Sequence, residues 1–294
     1  MARRENPFTS QGSAELERLG LLGWEPVPQS DDGVRWMRRD GAEVSYPRGV
    51  SDHLSGEDGS SFWLDARADA VGRLGAAAAV STLWDVGAGS GAMAKRLGSH
   101  GIEVISVEPL PEGAIEIGHL GHEVFCGTLE DLELPHDSLP AVGLFDVVEH
   151  LEDPALLLAE VSRVLIPGGK LLVTVPAYQW LWSAEDEALG HFRRYSTRSM
   201  NGTLRAGGFS VLSSQYLFAS LVPPAAVLRT LPYRLGRKRD AEQVLSCLGS
   251  RLEPGLVGDH VIRWALATEA AISRRVPMPF GLSVLALAQL DGAG

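Results

Sequence analysis

Four side chains able to hold a cation or move a proton stand in two short segments. Asp146, Glu149 and His150 lie in the run FDVVEHL, and His191 lies in WLWSAEDEALGHFRRYS, from Trp180 to Ser196. Spacings of three and four residues turn side chains to one side wherever the first segment is helical. Two carboxylates and an imidazole, joined by an imidazole from later in the chain, make a mixed oxygen and nitrogen set suited to a divalent metal. Without a metal, His150 or His191 could serve as a general base, with Glu149 beside it. A third reading leaves the acid and the histidines to organise the loop.

A second constellation precedes these residues. Asp85-Val86-Gly87-Ala88-Gly89-Ser90-Gly91 follows the apolar run TLWDV and opens into AMAKRL. Glycines at that junction let the backbone turn sharply and let a ligand approach the chain and the helix N-terminus. Glu108 ends the next apolar run, EVISVE, where a carboxylate can accept both hydroxyls of a ribose. Gly87, Gly89 and Ala92 also satisfy the dinucleotide fingerprint, with an acid about 20 residues on. Asp85 immediately before the loop suits a cationic amino-acid group better than a pyrophosphate.

Strands and helices must alternate to position these residues. TLWDV, EVISVE, HEVFCG, AVGLFDV and KLLVTVP read as strands, with helices between them such as DPALLLAEVSRVL, where Asp153 caps and Pro154 starts the first turn. GLSVLALAQL near the end reads as one more buried strand. Such alternation with short connections predicts an α/β fold: a doubly wound, Rossmann-like, mostly parallel sheet with a C-terminal antiparallel strand. Functional groups at the carboxyl ends of such strands lie on the ligand side. The expected organisation is an N-terminal extension over 1–60, with a hairpin around Asp40-Gly41. A core follows over 61–217, then a helical insertion over 218–276 and a closing strand over 277–294. SFWLDARADAVGRLGAAAA, at the start of the core, has helical spacing with Trp63, Ala66, Ala70 and Leu74 on one side.

LWDVGAGSG, VISVEP, GTLEDLEL, FDVVEHLEDP and LIPGGKLLVTVP, in that order, resemble the class I S-adenosylmethionine-dependent methyltransferases over about Ser81 to Phe209. The resemblance implies that Asp85, Gly87, Ala88 and Gly89 line the methionine portion of S-adenosylmethionine and that Glu108 holds the ribose. It sets Pro109, Leu110, Thr128 and Leu129 near the adenine, with Phe145 completing the cofactor set. The acid-x-x-Glu-His segment with a later His is similar to that of the ubiquinone-biosynthesis O-methyltransferases. There it implies a divalent metal held by Asp146, Glu149, His150 and His191; Asp146 departs from the longer Glu usual at its position. His191 to Tyr195 repeats the same family's His-x-x-x-aromatic spacing. Tyr178, Trp180, Trp182, Arg194 and Tyr195 follow the fifth strand, where this fold commonly contacts its acceptor. Glu185, Asp186, Arg193 and Arg194 read as solvated charges or local ion pairs, with Arg193 or Arg194 also able to clamp a carboxylate or phosphate on the acceptor.

The implied activity is methyl transfer to a small-molecule acceptor, foremost a hydroxyl oxygen. N- or C-methylation with a histidine base, an NAD-dependent oxidoreductase and a non-catalytic cofactor-binding partner are the alternatives. A formal charge of −11 argues against a surface for duplex nucleic acid. The N-terminus MARREN lacks a signal-peptide apolar stretch, no run reaches the roughly 20 apolar residues of a spanning helix, and Cys126 and Cys247 form no disulfide framework. Together these suggest a cytoplasmic protein without a transmembrane segment. LFASLVPPAAVLRTLPYRLGRKR is apolar and ends basic, as suits a pocket cover, a homodimer face or a membrane surface.

Overall fold

Alternation along the strands divides the core into two faces. On β3 (Thr82–Val86) Leu83 and Trp84 are both buried but join different apolar clusters. The first face is covered by α1 (Phe62–Ala77) and α2 (Ala92–Leu97) through Ala68, Val71, Met93 and Leu97. The opposite face is covered by α4 (Ala155–Val164) and α6 (Thr197–Ala206) through Leu158, Val161, Met200 and Leu204. Between them in the chain, α3 (Pro111–His119) packs Ala114 and Ile117 on the β5 edge, and α5 (Ala184–Ala188) is a single short turn.

The computed structural model describes residues 24–26, 35–38, 62–237, 256–273 and 276–291. The remaining strands are β1 (Trp24–Pro26), β2 (Arg35–Arg38), β4 (Glu103–Glu108), β5 (Val124–Cys126), β6 (Leu139–Phe145), β7 (Leu165–Pro176), β8 (Phe209–Leu217) and β9 (Ser283–Leu290). Their order in one sheet is β1-β2-β5-β4-β3-β6-β7-β9-β8. The strands from β2 to β7 run parallel; β9 is antiparallel to both β7 and β8, and β1 is antiparallel to β2. The mostly parallel, doubly wound sheet with an antiparallel closing strand is the architecture expected from the sequence.

Three local features differ from the sequence expectation. β8 is an added strand: it is buried only at Phe209, Tyr216 and Leu217, with exposed or partly buried residues between, a weaker pattern than the continuous apolar runs of the central strands. The Pro-Gly-Gly after α4 belongs to β7, which begins at Leu165 and shifts register against β6 between Leu139 and Ala141. The N-terminal strand Arg35–Arg38 pairs backward, with Trp24–Pro26, and extends the sheet beyond β5. The expected turn at Asp40-Gly41 lies outside the described residues, as does Cys247.

Between β8 and β9 the chain forms α7 (Val222–Ala225), a π turn (Ala226–Thr230), α8 (Leu231–Arg234) and α9 (Leu256–Ser273). Glu269 on α9 accepts hydrogen bonds from the amides of Ala219 and Ser220 at 2.8 and 3.0 Å, which anchors the start of this segment.

Candidate active site

Parallel strands of this topology end at one edge, and β3, β4 and β6 deliver Asp85, Glu108 and Asp146 to it. The glycine loop after β3 is built from left-handed residues, with Gly87, Gly89 and Gly91 at φ of 75°, 59° and 74°. Non-glycine residues enter that region at a cost of about 1–2 kcal/mol. The Glu108 carboxylate accepts the Gly89 amide at 2.7 Å and the Leu110 amide at 2.8 Å, so it shapes the loop it faces. Gly113 completes the cradle: a Cβ there would lie 2.5 Å from the Gly89 carbonyl oxygen. Space beside Gly89 itself is open, with nothing within 4 Å of an added Cβ.

Asp85 is 1% exposed, and neither of its carboxylate oxygens has a hydrogen-bond partner among the described residues. Burial, reinforced by the Glu108 carboxylate and opposed by the Arg67 guanidinium, pushes its carboxyl up to about 7. Burial likewise raises Glu108 to about 7, against the stabilising amides of Leu110 and Gly89. A buried carboxylate lacking donors is completed by a cationic or hydroxyl-bearing ligand. Asp85, Glu108 and the open loop therefore fit the ammonium and ribose of S-adenosylmethionine. Leu110 and Leu129 are buried, with Pro109 and Thr128 partly exposed beside them; Ala88 packs on the α3 cluster and Phe145 lies in the core beneath the loop. The Thr128 amide is held by the Asp131 carboxylate at 2.9 Å.

The second constellation sits next door. Val147 touches the glycine loop, its side chain 2.7 Å from where a Gly87 Cβ would be. Asp146 has φ of 58°, and Val148–His150 form a 3-10 turn rather than an α-helical start. The turn brings Glu149 and His150 to His191, with ligating atoms of all three within 4.8 Å of one another. The two imidazoles meet edge to face, centroids 4.6 Å apart. Backbone bonds lock the segments together: the Phe192 amide donates to Glu149 O at 2.8 Å and the His191 amide to Asp186 O at 2.9 Å.

Asp146 stands outside that trio. Its carboxylate pairs with Arg67 from α1 and accepts from the Thr174 hydroxyl at 3.1 Å. Arg67 is itself positioned near the Trp63 ring, at 5.7 Å. Nothing in the sequence spacing links α1 to FDVVEHL; the sheet makes that contact.

Electrostatics separates the members. Glu149 is fully buried, its oxygens without a side-chain partner among the described residues, and burial together with the Asp146 carboxylate raises its carboxyl well above the ordinary range, against its own backbone amide and Arg67. Burial, with His191 next in effect, pushes His150 down to about 4, so its imidazole is neutral at neutral pH. Asp186 behaves oppositely: burial opposes its charge, yet hydrogen bonding from His191 and Arg194 outweighs this and holds it below the usual carboxylate range. Its Oδ1 lies 2.9 Å from His191 Nδ1 and 2.7 Å from Arg194 Nε, with Arg194 Nη2 2.9 Å from Oδ2. A capping box fixes Asp186 further, since its Oδ2 accepts the Ser183 amide at 2.9 Å.

A buried carboxylate with no side-chain partner among the described residues, a neutral imidazole and a second imidazole backed by an ionised carboxylate fit a divalent cation, because ligating histidines are commonly oriented by such a carboxylate. Asp186 forms the local ion pair read from sequence, with Arg194, but it is buried rather than solvated and also holds His191. Its signal was the Ser183-x-x-Asp186 capping pattern.

The acceptor-side residues divide. Tyr178 stacks on Tyr216 at 5.0 Å and approaches Trp180 at 6.0 Å; Trp180 is 45% exposed and Trp182 is partly buried. Tyr195 is buried, its hydroxyl without a partner among the described residues. Arg194 is committed to Asp186 and to the Ala177 carbonyl at 3.3 Å, which makes it a strut rather than a free clamp for an acidic acceptor. Arg193 donates to the carbonyls of Leu151 and Glu152 and ties the His191 loop to the end of the 3-10 turn.

Residues 84–173 match the family described as "Methyltransferase domain". Over 118 residues the chain is 36% identical to an uncharacterized methyltransferase of Mycobacterium tuberculosis, covering 40% of this chain and 45% of that one. Over 102 residues it is 28% identical to a ubiquinone biosynthesis O-methyltransferase of a Bradyrhizobium species, covering 33% and 40%. The chain spans less than half the length of these curated relatives. Among solved structures, a methyltransferase in complex with the Haloferax volcanii Trm112 activator superposes with TM-score 0.52 at 19% identity, over 83% of this chain and 95% of the other. An S-adenosylmethionine-dependent methyltransferase from Archaeoglobus fulgidus does so with TM-score 0.50 at 17% identity, over 78% and 94%. Glycine loop, acidic strand end and family match converge on one stretch: residues 84–173 match a methyltransferase domain, set in a mostly parallel α/β sheet.

Proposed function

We propose that this protein transfers a methyl group from S-adenosylmethionine to a hydroxyl oxygen of a small-molecule acceptor. The observation that carries the reading is the adjacency of two incomplete buried sites on one sheet edge. Among the described residues, neither the Asp85 carboxylate nor that of Glu149, beside His150 and His191, has a side-chain hydrogen-bond partner.

Bound S-adenosylmethionine supplies an electrophilic methyl on a sulfonium, already activated for transfer. The tasks left to the protein are to align the acceptor oxygen and take its proton. Asp85 is matched to the ammonium of the amino-acid portion, and Glu108 to the ribose. His150, kept neutral by burial, has a lone pair for a proton or a cation. His191 presents its Nε2 away from Asp186, with Nδ1 held by that carboxylate. Glu149, His150 and His191 would hold a divalent ion, whose charge would lower the pKa of a bound acceptor hydroxyl. Tyr178 and Trp180 offer aromatic surface to the acceptor's flat or apolar part.

An unpartnered carboxylate at Asp85 disfavours a dinucleotide pyrophosphate, which would meet it as a like charge. The test is calorimetry with S-adenosylhomocysteine, followed by a screen of hydroxyl acceptors with radiolabelled methyl donor. Binding plus label on oxygen supports the proposal. NADH binding without S-adenosylhomocysteine binding, or label only on nitrogen or carbon, refutes it.

A further inference from the structure

Between Glu187 and Asp240 the chain carries nine Lys and Arg residues and no Asp or Glu, although its overall charge is −11. Part of this stretch is the helical run from Val222 to Arg234, and its polarity is inverted. The inward side carries Val222 and Thr230, whose hydroxyl donates to Leu181 O at 3.0 Å. The outward side carries Val227, Leu228, Leu231 and Leu235, exposed by 59%, 65%, 49% and 71%. These positions recur near helical spacing and form one apolar stripe facing away from the protein. Arg234 and Arg237, both exposed, stand beside the stripe, while Arg229 lies 3.8 Å from Glu185.

A contiguous exposed apolar stripe of this kind marks an interaction surface. Its charge selects the occupant. A second copy docking by two-fold symmetry would set the same basic patch against itself. An anionic lipid surface would accept the leucines among its acyl chains and the arginines among its headgroups. No described helix is long and apolar enough to cross a membrane, so the contact is with a surface.

We propose that the Val227–Leu228–Leu231–Leu235 stripe, with Arg234 and Arg237, docks the protein onto an anionic bilayer. The placement is specific, because the same helical run is bonded to the acceptor-side loop. Besides Thr230, Arg234 Nη2 donates to Trp180 O at 2.9 Å, and Tyr233 donates to Glu187 on α5. The docking face and the wall bearing Trp180 are one unit. This inference is independent of the methyl-transfer reading.

The test is flotation of the full chain with vesicles of phosphatidylcholine containing phosphatidylglycerol, and with vesicles of phosphatidylcholine alone. A variant combining Leu228→Glu, Leu231→Glu and Leu235→Glu is compared, with thermal unfolding as the check on its fold. The expected result is recovery of wild type with anionic vesicles, at least about tenfold reduced in the folded variant. Recovery should also fall on neutral vesicles and at about 1 M NaCl, where the Debye length is about 3 Å. Wild type that stays behind from anionic vesicles, or a variant that floats equally well, overturns the proposal. So does a wild-type dimer that the variant dissociates in the absence of vesicle binding, which assigns the face to a second copy. Should the triple variant not fold, Arg234→Glu with Arg237→Glu replaces it, with the same expected loss and the same overturning result.

Discussion

His191 Nδ1 lies 2.9 Å from Asp186 Oδ1, and the same carboxylate is held by both Arg194 nitrogens facing it. This fixes the imidazole's orientation and tautomer, because an ionised carboxylate accepts the Nδ1 proton and leaves Nε2 with the lone pair. Asp186→Asn should therefore lower methyl transfer by about 10–100-fold, the usual cost of losing such an outer partner. The affinity for S-adenosylhomocysteine should stay unchanged. Calorimetry and initial rates on one preparation separate the two; equal loss in both would point to a general structural role.

Asp85 should make cofactor affinity pH-dependent. Its carboxyl sits near 7 without ligand, raised first by burial and then by Glu108. An ammonium group favours the ionised form, so affinity for S-adenosylhomocysteine should rise about tenfold from pH 6 to pH 8. Asp85→Asn should weaken binding and flatten that rise. An unaltered pH profile in the variant would exclude Asp85 as the group responsible.

The same residue should cost the ligand-free protein stability. Between its unfolded value of 3.8 and about 7, the folded state keeps a proton that the unfolded state releases, so this contribution weakens as pH climbs through that window. Above about 7 the loss is complete. Ligand-free Asp85→Asn should melt a few degrees above wild type at pH 8 and show a smaller difference near pH 4. Scanning calorimetry at the two pH values gives the answer.

For the trio, Glu149→Gln removes the buried acid while keeping its shape. Elemental analysis should find a divalent ion retained by wild type and lost from the variant, and the wild-type rate should fall on chelation. Full activity in excess EDTA would discard the metal and leave His150 and His191 as proton acceptors.

Gly113→Ala tests the cradle from behind. The added Cβ meets the Gly89 carbonyl oxygen, a backbone atom that cannot swing aside. Strain of about 1–3 kcal/mol should appear as reduced stability or, through displaced Gly89, as weaker S-adenosylhomocysteine binding. No change in either would show that α3 shifts freely.

Much of this site could be read from sequence because the chemistry sits at strand ends that local pattern reveals. TLWDV and EVISVE are continuous apolar runs ending in Asp85 and Glu108, and Glu149 and His150 follow a third such run. Arg67 could not be read: it reaches Asp146 only because α1 folds back across the sheet, and α1 itself shows only helical spacing. Asp186 and Arg194 were visible as charges, but the burial of Asp186 and its bonds to His191 and Arg194 appear only once the chain from α5 to Arg194 has folded back on itself. β8 escaped notice because an edge strand with serines on its partly buried face lacks the hydrophobic run that marks its neighbours.

Leu217 at the end of β8 is the direct sheet partner of Ser283 at the start of β9. Everything between them leaves and re-enters the core at one point, so the long detour behaves as an oversized hairpin loop. Lengthening such a loop is thermodynamically mild, about 0.6 kcal/mol per doubling. The segment between Leu217 and Ser283 can therefore change in length while β8 and β9 keep their pairing and the remaining strands keep their threading.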